Sequence, residues 1–110
     1  MLSDWHELTE YLRQTFSMKG DLLSALFLVG IHESGSGFRQ YSQDEKTGLV
    51  KLAEHILLSR AGYFKKIEIE GRDPTFVPND DHPVPTDPDK LDALLQKEIL
   101  TYFNQNITSS

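Results

Sequence analysis

The sequence predicts an α+β protein that is mostly helical, with four helices around a central apolar helix and one β-hairpin between helices three and four. Three patterns predict it. On both sides of residues 63–77, apolar residues recur three and four positions apart, as they do along the buried face of a helix. In residues 63–77 the period changes towards two, which is typical of strands. Residues 22–31 are apolar on every side, and such a helix must be buried on every side.

One domain is expected over residues 1–110. A chain of 110 residues suffices for one core but is too short for two ordinary domains. Hydrophobic residues make up 38% and charged residues 25%, which is typical of a globular protein.

The first predicted helix follows Ser3 or Asp4 as its N-cap, and Glu7 is placed to complete a capping box from Asp4. It ends at Lys19-Gly20, and Asp21 caps the next helix. One apolar stripe runs along it, formed by Trp5, Leu8, Leu12 and Phe16.

Helix two is the predicted centre of the fold, because eight of the ten residues from Leu22 to Ile31 are apolar. Gly30 lowers helix stability by about 1 kcal/mol relative to alanine, so its presence predicts the close approach of a neighbouring element. The helix then meets His32 and Glu33, and a glycine-serine segment at 35–37 provides its stop.

Helix three is predicted by a capping box from Ser42 to Glu45 and by the stop at Ala61-Gly62. Its apolar face comprises Leu49, Leu52, Ala53, Ile56 and Leu57. Residues 63–70 then predict a half-exposed strand with Ile67 and Ile69 on one face, followed by a turn and a short returning strand at 75–77. A two-stranded hairpin is marginal alone, so this one is expected to pack on the helices.

The prolines between Pro74 and Pro88 predict an extended surface crossing into the last helix, which Thr86 or Asp87 caps. That helix carries an apolar stripe of Leu91, Leu94, Leu95, Ile99, Tyr102 and Phe103. From Asn104 the chain is polar, and its tail is expected to fray.

Composition excludes several functions. The chain has no cysteine, which removes disulfides, thiolate metal sites and cysteine nucleophiles. A formal charge of −6 argues against electrostatic binding of nucleic acid or anionic lipid over a large surface. The first residues have acidic side chains and no continuous apolar run, so a signal peptide is not expected there, and the apolar run at 22–31 is about half of the roughly 20 residues that a membrane span needs. A cytoplasmic protein without membrane contact is expected.

The candidate polar site consists of His32, Glu33 and His55. His32 and Glu33 stand at the exit of the buried helix, where an acid–base pair or metal ligands would border a pocket. Adjacent helical residues point about 100° apart, however, so the two favour the role of boundary residues. The segment 80–82, Asp-Asp-His, lacks further ligands nearby and is predicted to be a solvated loop. No catalytic residue, metal ligand or cofactor is therefore assigned.

A local basic patch follows helix three, interleaved with aromatic residues, and is formed by Arg60, Lys65, Lys66 and Arg72. A helix followed by a hairpin with a basic edge is the order found in winged-helix DNA-binding proteins. Against this alternative, Asp44 and Glu45 occupy the first turn of helix three, which usually approaches DNA in such proteins.

Three motifs resemble those of small bacterial proteins of unknown function: E-S-G-S-G-F from Glu33, E-K-x-x-L from Glu45 and L-L-S-x-x-G-Y-F from Leu57. The resemblance implies no activity and no functional residue.

The leading functional hypothesis is a small non-enzymatic interaction module that self-associates or binds a protein partner. It rests on helix two, which needs more covering surface than three amphipathic helices and a hairpin provide, and a homodimer would supply it. The alternatives are a winged-helix-like nucleic-acid-binding regulator and a small enzyme or metal-dependent site near the exit of helix two.

Overall fold

The computed structural model describes residues 1–108 and confirms the predicted fold class. Four α-helices surround one core, and a two-stranded antiparallel hairpin lies between the third and fourth. The elements follow in the order α1 (Trp5–Phe16), α2 (Leu22–Ser34), α3 (Gln43–Arg60), β1 (Phe64–Ile67), β2 (Thr75–Pro78) and α4 (Pro88–Asn106). None of the helices in the described part is long and apolar enough to cross a bilayer.

Local capping sets the starts of the helices. Asp4 accepts a hydrogen bond from the backbone of Glu7 at 2.9 Å, and Asp21 accepts one from Ser24 at 2.8 Å. At α3 the predicted capping box between Ser42 and Glu45 is confirmed in both directions. Each of these carboxyl or hydroxyl groups satisfies a backbone N–H that has no partner inside the helix.

The core is built around α2, as predicted. Its residues from Ala25 to Ile31 are buried except Phe27, which is half-buried. The neighbouring elements of the same chain therefore cover most of the apolar surface of this helix, and its most exposed apolar side chain is Leu23, which is 64% exposed. The need for a second subunit to cover α2 is thus smaller than the sequence pattern alone indicates.

Gly30 brings α2 and α3 into backbone contact. A Cβ atom placed on Gly30 would lie 2.3 Å from the carbonyl oxygen of Leu49 and 2.8 Å from its carbonyl carbon. The predicted close approach is confirmed, because no residue with a side chain fits there without moving a helix backbone.

The buried face of α3 differs from the predicted stripe. Ala53, Leu57 and Leu58 are buried, whereas Leu49 and Leu52 are only half-buried. Residues 43–48, the first turn and a half of α3, are exposed throughout. Burial on α3 therefore follows where its neighbours lie and is concentrated in its second half.

The hairpin rests on α3 through its aromatic residues. Phe64 and Phe76 lie on one face of the two strands, and both rings contact His55, with centroid distances of 5.3 and 5.4 Å. Ile67 and Ile69 are 45% and 49% exposed, so the isoleucines do not hold the hairpin to the core. The first strand also ends at Ile67, before the alternating pattern does.

The last helix continues past the predicted start of a frayed tail. Asn104 lies within α4, and its side-chain amide makes two hydrogen bonds of 2.8 Å with the backbone N–H and carbonyl of Leu2. Packing of α1 adds to this link, since the ring of Tyr11 meets that of Phe103 edge-on. A polar side chain thus holds the first residues of the chain against its last helix.

Candidate functional site

The last turn of α2 and the C-terminal part of α4 form a hydrogen-bonded polar cluster. The hydroxyl of Tyr102 donates to Oε2 of Glu33 at 2.6 Å, and Nδ1 of His32 lies 2.6 Å from the same hydroxyl oxygen. Nδ1 of His32 is 3.7 Å from Oε2 of Glu33. Adjacent residues of a helix therefore act together here because both reach a third side chain from another helix.

The direction of the hydrogen bonds follows from counting protons. Tyr102 has one hydroxyl proton and gives it to Glu33, so its oxygen is an acceptor for His32. In the neutral imidazole the proton then resides on Nδ1, and Nε2 carries a lone pair. Burial is the largest cause that raises the pKa of Tyr102 above its usual range, and the hydrogen bond to Glu33 raises it further. The phenol therefore stays protonated.

Arg60 belongs to this cluster and not to the hairpin. Its guanidinium carbon lies 5.2 Å from the centre of the Tyr102 ring, within the range of a cation–π contact, and it also donates to the side chain of Gln105. Arg60 thereby connects the end of α3 to α4. The ring that it contacts is the one whose hydroxyl donates to Glu33.

An apolar groove of about 300 Å³ lies beside the polar cluster. Its lining residues come from the ends of α1 and α2, the loop that follows α2, and the end of α4: Phe16, Leu28, Ile31, His32, Gly35, Gly37, Phe38 and Ile107. The rings of Phe16 and Phe38 stack at 5.6 Å and form one wall. Of the described lining side chains, only that of His32 is polar.

His55 does not join His32 and Glu33. Its ring lies between α3 and the hairpin, where it stacks on Phe76 with an interplanar angle of 23° and contacts Phe64 at 58°. The structure therefore brings together two of the three residues of the sequence-predicted polar site and gives the third a packing position.

The four residues of the predicted basic patch are separated. The strand register places Lys65 beside Val77 on one face of the hairpin and Lys66 beside Phe76 on the other. The Lys66 ammonium forms an ion pair with Glu68 at 3.1 Å, and Arg72 lies in the turn. Lys65 and Lys66 therefore point to opposite faces of the hairpin, and Arg60 is directed to Tyr102.

Metal ligands are not gathered in the described part of the chain, where no group of three or more histidine or acidic side chains is arranged to hold an ion. In the segment 80–82, the ring of His82 stacks on Tyr63 at a centroid distance of 4.0 Å. Tyr63 therefore gives this imidazole a packing contact at the base of the hairpin.

A second and larger groove, of about 550 Å³, runs along the outer side of α2 and α3. Its apolar part is made by Leu23, Phe27 and Val50. The remaining lining residues are polar or charged: Ser24, Gln43, Lys46, Thr47, Lys51 and Glu54. The groove contains the most exposed apolar residue of α2.

Comparison with known proteins leaves the function to be argued from these residues. No protein-family model matches the chain, and neither the curated proteins nor the solved structures contain a match. A bacterial origin stays a prediction.

Sequence reasoning missed Tyr102 as a site residue because its position fits the apolar stripe of α4. A usable signal was present, since a buried tyrosine carries a hydroxyl that almost always finds a hydrogen-bond partner. His32 and Glu33, the polar residues at the exit of the buried helix, were the natural candidates.

Proposed function

We propose that the chain is a small interaction module that pairs with a second copy of itself through the groove between α2 and α3. The observation that carries the proposal is Leu23, a leucine 64% exposed on a helix whose other apolar side chains are buried or half-buried, and placed beside Phe27 and Val50 in an open groove. Contiguous apolar surface of this kind, surrounded by polar residues, is typical of protein interaction sites.

Charge favours a second copy as the occupant. The groove is lined by two lysines and one glutamate, whereas the whole chain carries a formal charge of −6. Two copies therefore repel each other over most of their surface and much less at this face. The apolar floor then contributes against only a small like-charge repulsion, since the lining carries two positive charges and one negative charge in each copy.

The charged residues of the groove also complement themselves under two-fold symmetry. Lys51 and Glu54 stand one helical turn apart on α3. When two α3 helices pack antiparallel about a two-fold axis, Lys51 of each copy faces Glu54 of the other, and the pair forms twice. Such pairs set the orientation of the two copies more than they set affinity.

Sedimentation equilibrium over a concentration series tests the proposal. Leu23→Asp places a charge in the apolar floor, and the dimer dissociation constant should rise about tenfold or more. Leu23 is an exposed residue, so the variant is expected to fold, and circular dichroism verifies this. A chain that sediments as a monomer at every concentration, or a Leu23→Asp variant that associates like the wild type, would overturn the proposal.

Exchanging the charges at positions 51 and 54 distinguishes specific pairing at this interface from a general effect of net charge on association. Lys51→Glu and Glu54→Lys should each weaken association alone, because each places like charges opposite one another. Mixed together, the two variants should form a heterodimer in which every pair is again opposite in sign. Lys65→Glu, which makes the same change in net charge as Lys51→Glu but on the hairpin, is the matched control for that variant and should leave the association of the chain much closer to that of the wild type.

The basic residues give less support to a nucleic-acid-binding function, since Lys65 and Lys66 point to opposite faces of the hairpin and the first turn of α3 carries Asp44 and Glu45. A cytoplasmic location belongs to the same proposal, because a chain without cysteine suits a reducing compartment. Fractionation of cells that produce the chain at native level tests the location.

A further inference from the structure

We propose that the groove beside His32 binds a small apolar molecule that carries a hydroxyl group, such as an alkylphenol, and that Nε2 of His32 accepts the hydrogen bond from this hydroxyl. The inference goes beyond self-association and concerns a different surface of the molecule. It stands on the shape and lining of the groove and on the hydrogen bonds that orient His32.

The groove fits a ligand that is mainly apolar. Phe16, Leu28, Ile31, Phe38 and Ile107 provide its apolar lining, and its volume of about 300 Å³ is sufficient for a small molecule. Ligand sites combine such a lining with very few polar groups that fix the orientation of the ligand. Here the imidazole of His32 is the polar group.

The fixed tautomer determines which ligand chemistry is recognised. Tyr102 accepts from Nδ1–H because its own proton is held by Glu33, and Nε2 has no hydrogen bond within residues 1–108. In its neutral form His32, which lines the groove, therefore has an acceptor and no donor left for a ligand. A hydroxyl group on the ligand satisfies this acceptor, whereas an ether or a hydrocarbon leaves it unpaired.

The charges around His32 support a neutral donor as the ligand group. Glu33 places a carboxylate 3.7 Å from Nδ1, and Arg60 is directed to the ring of Tyr102 and to Gln105. A carboxylate ligand at Nε2 would add a second negative charge to the Glu33 side of the cluster without a cation of its own. A phenol or aliphatic alcohol brings the hydrogen-bond donor without that charge.

A matched pair of probes tests the inference on the full chain. 4-Propylphenol and its methyl ether 4-propylanisole share one apolar body and differ in the hydroxyl donor. In a titration followed by two-dimensional ¹H–¹⁵N NMR, the phenol should bind with a dissociation constant on the order of 0.1–1 mM. The ether should bind about tenfold more weakly, which corresponds to one hydrogen bond. The backbone amides of Gly35, Gly37 and Ile107 should shift.

Two substitutions of the same kind locate the acceptor. His32→Phe keeps a ring at the groove but removes Nε2, so the phenol should lose its advantage over the ether. His55→Phe makes the same change at the hairpin and should preserve the advantage. Phe38→Ala removes part of an exposed wall and should weaken both probes alike, while Leu23→Ala, at the other groove, should weaken neither.

Several outcomes would overturn the inference. Equal affinity for the phenol and the ether would show that no acceptor takes part, as would an unchanged preference in His32→Phe. Tighter binding of 4-propylbenzoate than of the phenol would mean that His32 acts as a charged donor. Amide shifts confined to the groove between α2 and α3, or no shift at millimolar probe, would remove the site.

Discussion

Replacing Gly30 with alanine should destabilise the protein even though alanine is the better helix former. The new Cβ would stand 2.3 Å from the carbonyl oxygen of Leu49. Carbon–oxygen contacts are normally no closer than about 3.3 Å, so α2 and α3 would have to separate by about 1 Å. Because the obstacle is backbone, no rotamer change relieves it. Overpacking costs about 1–3 kcal/mol, and a clash with backbone falls in the upper part of that range, about 2–3 kcal/mol. The gain in helix propensity is about 1 kcal/mol, which leaves a net loss of about 1–2 kcal/mol.

Gly48→Ala is the matched control for this prediction. Gly48 lies inside α3 in an exposed position, and a Cβ built there meets nothing within 4 Å. The same substitution should therefore raise the free energy of unfolding by up to about 1 kcal/mol. Urea unfolding followed by circular dichroism measures both variants under one set of conditions, and opposite signs are expected.

The comparison can refute the packing of the two central helices. If Gly30→Ala is as stable as the wild type, or more stable, α2 does not approach α3 as closely as described. If Gly48→Ala is destabilised as strongly as Gly30→Ala, the loss has a cause other than contact between the helices. Only the pair of opposite signs agrees with the structure.

Two further predictions concern helix starts. Asp21→Ala removes the N-cap of α2 and should lower the free energy of unfolding by about 1 kcal/mol, while Asp21→Asn keeps an acceptor and should cost much less; equal losses in urea unfolding would contradict the capping role. Hydrogen bonds lower the pKa of Glu45 from 4.5 to about 2, with the bond from Arg39 as the largest cause and those from Ser42 as the next. Because this pKa is depressed in the folded state, its contribution to stability is present above about pH 4.5 and is lost as the pH falls towards 2. The difference in urea unfolding between the wild type and Glu45→Gln should therefore shrink over that interval, and a constant difference would exclude the linkage.

The parts of the fold that the sequence predicts correctly are those governed by neighbours along the chain. Asp4 caps α1 and Ser42 caps α3 because each needs only a backbone N–H three residues away. The central position of α2 follows as directly, since its residues are apolar on every side. In these cases composition and spacing contain the physical cause.

What the sequence does not predict depends on contacts between distant residues. His32 and Glu33 become one cluster only because Tyr102, some seventy positions later, reaches both. The face of the hairpin that packs on α3 is likewise chosen by Phe64 and Phe76, although the isoleucines show the clearer alternation. Which apolar residues of a half-exposed strand are covered is decided by what lies opposite them.

The hydrogen bonds between Leu2 and Asn104 have a consequence for the order of folding. They join residues separated by 102 positions, and they accompany the contact of Tyr11 with Phe103. During synthesis α1 leaves the ribosome before α4, yet its buried face gains this support only after α4 has been made. We therefore expect α1 to dock late, with its apolar stripe incompletely covered until α4 is available.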